Sequence, residues 1–138
     1  RRDCAKVVRM TNWRDQGLDV FREMLPGTLP DHVPNEKVSF GSGFASELME
    51  IGIEGIFGRL WSREGLARRD RSLVTLGILI ALGAEQEMES HFRIARQNGL
   101  TEDELAEVIY HATGYAGFPA ANTAKSAALR ALSKDHEL

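Results

Sequence analysis

Apolar residues recur along this chain at spacings of three and four, and never for long at two. Over 13–25 this puts Leu18, Phe21 and Leu25 on one helical face, which Thr11 or Asn12 can cap. A loop follows, PGTLPDHVPNEK, with three of the four prolines. A second helix is expected from Phe40 to Leu60, with Phe44, Leu48, Ile51 and Phe57 on one side. Its glycines (Gly41, Gly43, Gly52, Gly55 and Gly58) imply close packing or a break. WSREGLARRD then acts as a connector. Residues 71–83 read as a helix apolar nearly all round, hence deeply buried or at a subunit interface. A buried strand is the rival reading of LVTLGILIAL, but its length and the flanking helices favour helix. The next helix, 85–98, stops at Asn98-Gly99, where glycine suits a left-handed turn. Thr101 and Glu104 form a capping box ahead of Leu105, Val108, Ile109 and Ala112. Pro119 opens an alanine-rich helix to about Leu132. With no repeat, low-complexity segment or linker, the pattern predicts an all-α chain, a single domain over 1–138 of about six helices.

Composition narrows the function classes. The net charge is −3 and no basic block stands out, so nothing marks a nucleic-acid surface; the opening Arg1-Arg2 pair is too short to count. The longest apolar run, residues 73–84, is too short to span a bilayer. No secretory pattern opens the chain, and its lack of an initiator Met suggests a trimmed start. The single cysteine, Cys4, excludes an intrachain disulfide and a thiolate zinc site, and suits a reducing cytoplasm. It has no partner histidine in view and is not expected to be a nucleophile.

The candidate chemistry centres on EQEMESHFRIARQNG, residues 85–99, where Glu87 precedes His91 by one helical turn. A carboxylate there can orient an imidazole or hold it protonated, and histidine is the usual proton shuttle near neutral pH. The bland alternative, an exposed ion pair of a few tenths of a kcal/mol, is favoured on spacing alone. Arg71 can bind a carboxylate with its planar fork, or simply solvate a helix start among its neighbouring arginines. Trp61 can wall an apolar pocket, although core packing is the commoner fate of tryptophan. His111 reads as a core or interface histidine, and His32 and His136 as loop and tail residues. GSGF at 41–44 matches no phosphate loop, and no metal constellation stands out.

RDRSLVTLGILIALGAEQEMESHFRIARQNGLTEDELAEVIYHATGYAGFPAANTA resembles the core of the carboxymuconolactone decarboxylase family. Upstream, IFGRLWSREGL is similar to the family's WGxxWxRPGL, with Glu64 for proline, and QGLDVFREMLP to its opening RGxxVRRxVLG. The likeness covers roughly residues 12 to 132. It implies an all-helical alkylhydroperoxidase D-like fold and a homo-oligomer, a trimer or a hexamer of such trimers. Peroxidase relatives of that fold carry CxxCxxxH. Counting back from His91 puts those cysteines at Ala84 and Glu87, so thiol peroxidase chemistry is not expected. The decarboxylase branch has a glutamate at the second of those positions, as here.

The resemblance implies a cofactor-free carboxy-lyase for a small carboxylated lactone from aromatic-ring breakdown of the protocatechuate or β-ketoadipate type. Such a substrate is its own electron sink, since loss of CO2 leaves a dienolate and no metal or organic cofactor is required. His91 is then the acid and Glu87 its orienting partner, with Arg71 or Arg63 on a substrate carboxylate and Trp61 as pocket wall. The chain departs from the family at Tyr115-Ala116-Gly117, at Glu64 and in the loop at 26–37. The alternatives are the same scaffold on another small acid or secondary metabolite, or a non-catalytic ligand-binding oligomer.

Overall fold

The computed structural model describes residues 11–135. Six α-helices are joined by one 3-10 turn and one π-helical stretch, with no strand among the described residues. Contacts divide the chain into two compact units. One holds the described residues up to Glu23 and Gly27–Arg63; the other holds Met24–Pro26 and those from Glu64 onward. The expectations for Arg1, Arg2, Cys4 and His136 fall outside the described residues.

In the first unit α1 spans Trp13–Met24 and buries Leu18 and Phe21, as its periodicity requires. Asn12 is the cap, its side-chain oxygen accepting from the Asp15 backbone N–H at 3.0 Å. The expected helix over 40–60 starts late. Gly41 and Gly43 have φ of 100° and 103°, and Ala45 is left-handed at 55°, so the backbone turns there instead of coiling. The helix proper, α2, is only Leu48–Gly52, and it runs into a π-helix at Ile53–Trp61. That widened coil buries Ile53, Gly58 and Trp61, at spacings of five and three. Phe57 meets Phe21 edge-on at 5.1 Å, and the Arg59 guanidinium lies 4.9 Å from the Trp13 ring centroid.

The proline-rich loop is held by its carbonyls. Arg14 grips Glu50 with two hydrogen bonds, of 2.7 and 3.0 Å, and donates to the carbonyls of Asn35 and Val38. Its grip holds the Glu50 carboxyl below the usual carboxylate range. Arg22, two turns along α1, donates to the carbonyls of Pro30 and Val33. Two guanidiniums thus brace four loop carbonyls, of which those of Pro30 and Asn35 also accept from the backbone N–H groups of Val33 and Val38.

The second unit is built from α3 (Arg68–Leu82), α4 (Glu85–Gln97), α5 (Glu102–Ala116) and α6 (Phe118–Asp135). Gly83, at φ 70°, ends α3; its N–H bonds to Ile80, and that of Ala84 to Leu79. Gly99 ends α4 by the same double reversal, through Arg96 and Ala95. The capping box forms as expected, Thr101 Oγ1 accepting from the Glu104 N–H while Glu104 accepts from the Thr101 N–H. Leu76, Ile80, Met88, Phe92, Leu100 and Leu105 make the core, closed by Ala124, Ala127, Ala128 and Ala131 of α6. Those alanines let α6 lie close to α4 and α5. Outside the core, Arg130 of α6 reaches Glu85 and Glu89 of α4 at 3.0 and 3.1 Å. α3 is only half what its composition suggests: Leu76 and Ile80 are buried, but Val74, Ile78 and Leu82 are exposed.

Candidate functional site

α4 is amphipathic. Met88, Phe92 and Ala95 turn inward, and Glu87 and His91 lie one turn apart beside that stripe. Glu87 is exposed while His91 is largely buried. No hydrogen bond or ion pair joins the two among the described residues. Burial pushes the His91 imidazole down to about 4, so the ring is neutral at physiological pH. A neutral ring donates one hydrogen bond and accepts another; it becomes an acid only if a bound anion raises its pKa.

This fixes a stability prediction. Between pH 6.5 and about 4 the unfolded chain binds a proton at His91 and the folded chain does not, so stability falls as pH drops through that window. The loss is ~3 kcal/mol at most for a shift of this size. Denaturant unfolding from pH 7 to 4 should show a shallower decline for His91→Asn than for the parent. Parallel declines would count against the buried neutral ring.

The remaining candidates lie on other elements. Arg71 is in the first turn of α3, half-buried, its Nε donating to the Leu66 carbonyl at 3.2 Å. Ser72 accepts from Asn98 at 3.0 Å, which sets the register of α3 against α4. Trp61 is buried at the end of the π-helix, and Arg63 is exposed just beyond it. His111 is not a core residue: it is exposed, with its ring 5.2 Å from that of Tyr115.

A groove of about 980 Å³ runs between α3 and α5. Leu73, Gly77 and Ala81 form one side, and Glu107, His111 and Tyr115 the other. At its rim Arg69 pairs with Glu104. Glu87, His91 and Arg71 do not line it. The signal for it was in the sequence, since Glu107, His111 and Tyr115 recur every four residues. Among the described residues no three His, Cys, Asp or Glu side chains converge as metal ligands. No described helix is long and apolar enough to cross a membrane.

The carboxymuconolactone decarboxylase family model matches residues 47–130, well over half of the chain. This chain belongs to that family. It is 42% identical over 109 residues to 4-carboxymuconolactone decarboxylase of Acinetobacter baylyi, covering 79% of this chain and 78% of the relative. It is 36% identical over 105 residues to nitrosuccinic acid decarboxylase of Metarhizium robertsii, covering 76% of this chain and 71% of that one. The family drawn from the motifs is therefore correct, as is the all-helical fold. Within the matched span fall His91, Glu87, Arg71, Arg63 and Trp61.

Proposed function

We propose that this protein is a cofactor-free decarboxylase of small carboxylated acids, acting on a carboxylated unsaturated lactone from aromatic-ring breakdown. The observation that carries this reading is its kinship with two decarboxylases whose named substrates differ in structure yet pose one chemical problem. An unsaturated lactone and a nitro acid each carry an acceptor for the electron pair that CO2 leaves behind. The protein then has to seat an anion, stabilise the charge it develops and return a proton to carbon.

His91 and Glu87 do this work. The substrate arrives as a carboxylate, and its charge raises the His91 pKa from about 4, so a proton is taken up with it. The C–C bond to the carboxylate breaks, CO2 leaves, and the electron pair moves through the ring onto the lactone oxygen. His91 then protonates the ring carbon and the carbonyl re-forms, so one solvent proton is consumed per CO2. Glu87 orients the imidazolium once it is charged. Arg71 or Arg63 holds a substrate carboxylate, and Trp61 walls the apolar side. The enzyme works as one domain over 1–138, assembled as a homotrimer or hexamer, in the cytoplasm.

The test is CO2 release from freshly made 4-carboxymuconolactone, with nitrosuccinic acid alongside. Turnover of the lactone supports the reading. Turnover of the nitro acid alone moves the substrate to another small acid, for which the departures in the loop at 26–37 are a reason. Turnover of neither by a folded protein sinks the reading for both acids.

A further inference from the structure

α3 and α4 form a hairpin whose two ends are closed by different means. At one end the chain itself joins them, through Gly83 and Ala84. At the other, Asn98 donates from Nδ2 to Ser72 Oγ at 3.0 Å. Between the ends the contact is apolar, with Leu76 and Ile80 of α3 in one core cluster with Met88 and Phe92 of α4. Such packing resists separation but is non-directional, so it sets the rotation of a helix only loosely. A hydrogen bond has a narrow range of length and angle. The Ser72–Asn98 bond thus fixes how α3 is turned at the open end of the hairpin.

Both partners are placed for this. Ser72 is 1% exposed, the one buried polar residue among those described. A buried hydroxyl that only filled space would be better replaced by alanine, which needs no partner. Asn98 is held by the end of α4: its backbone N–H bonds to the Ile94 carbonyl at 2.8 Å, and Gly99, at φ 102°, turns the chain just after it. It lies seven residues past His91, two turns along the same face of α4.

Arg71 is the residue before Ser72. Its Nε donates to the Leu66 carbonyl at 3.2 Å, and its backbone N–H to the Ala67 carbonyl at 2.9 Å. The turn that starts α3 therefore sets the guanidinium plane, and Ser72 sets that turn. A planar fork grips a carboxylate best when its orientation is fixed beforehand.

We infer that Ser72 and Asn98 are positioning residues: their hydrogen bond clasps the open end of the α3–α4 hairpin and holds Arg71 in the orientation that grips a substrate carboxylate. The inference rests on the decarboxylase reading above, and it names Arg71 as the arginine that meets the carboxylate.

The test compares the full chain with Ser72→Ala, Arg71→Ala and the double variant. CO2 release from 4-carboxymuconolactone gives kcat and KM, and the NMR signal of the Arg71 Nε–H gives its exchange with water. Ser72→Ala should raise KM about three- to tenfold with kcat unchanged, the mark of lost binding that is equal in the ground and transition states. Arg71→Ala should raise KM about 10–100-fold, and Ser72→Ala should add nothing on top of it. Exchange of the Arg71 Nε–H should quicken at least ~tenfold in Ser72→Ala. A serine with a merely structural role would shift KM alike in both backgrounds, and that result would overturn the inference. So would an Nε–H whose exchange Ser72→Ala leaves unaltered. Should Ser72→Ala fail to fold, Asn98→Ala breaks the same bond from its half-buried side and decides in its place. An unchanged KM in Arg71→Ala would overturn the carboxylate grip, and the inference with it. No CO2 release by the folded parent would sink the decarboxylase reading, and the Nε–H exchange would then decide the clasp by itself.

Discussion

Replacing His91 with alanine should lower kcat by about 10²–10⁴-fold, the range for loss of a positioned proton donor. Helical circular dichroism should stay unchanged, because His91 is at the edge of the core and not among its fully buried residues. Proton delivery by this ring also sets the pH profile. In the complex the ring must be protonated, so kcat should show a falling limb on the alkaline side, at the pKa that the bound anion confers. That limb should be absent from the residual activity of the alanine variant. A kcat that stays flat to high pH in the parent would assign the proton to another donor. Full activity in His91→Ala would remove the ring from the mechanism altogether.

Gly17→Ala should destabilise the protein by about 3 kcal/mol or more, a large share of a domain's total stability. A Cβ at Gly17 would stand under 3.0 Å from the Ile53 carbonyl oxygen, and one at Gly58 would stand as close to the carbonyl of Trp13. Both obstacles are backbone, so no side chain can swing aside. α1 and the π-helix therefore touch main chain to main chain at two points. Gly58→Ala should cost a similar amount. Gly52→Ala and Gly55→Ala, where a new Cβ meets nothing within 4 Å, should be neutral or should stabilise by up to ~1 kcal/mol. Urea midpoints for the four variants would decide the matter: equal shifts at all four positions would contradict the close crossing.

These glycines also show where sequence reading worked and where it stopped. Elements closed by local chemistry were legible residue by residue. The Thr101–Glu104 capping box, the reversal at Gly99 and the Asn12 cap need only their own neighbours. The helix from 40 was not legible, because a period of 3.6 cannot anticipate a coil whose buried residues fall five and three apart. Five glycines in that stretch promised packing or a break. The structure divides them into turns at Gly41 and Gly43, a close approach at Gly58, and open space at Gly52 and Gly55. For the candidate site, Glu87 and His91 share a helix face because their spacing dictates it, but the burial that keeps His91 neutral is a tertiary effect. The grip of Arg14 and Arg22 on the loop carbonyls left no trace in the pattern, since backbone acceptors have no residue type.

The connections of the second unit bear on how quickly it is made. Two residues separate α3 from α4, four separate α4 from α5, and one separates α5 from α6. Its core is therefore assembled from neighbours in sequence, and little chain entropy is spent in closing loops. Helical units wired this way fold in microseconds to milliseconds. A ribosome adds only about 5–20 residues each second. The second unit should thus keep pace with its own synthesis, each helix docking before the next has fully emerged.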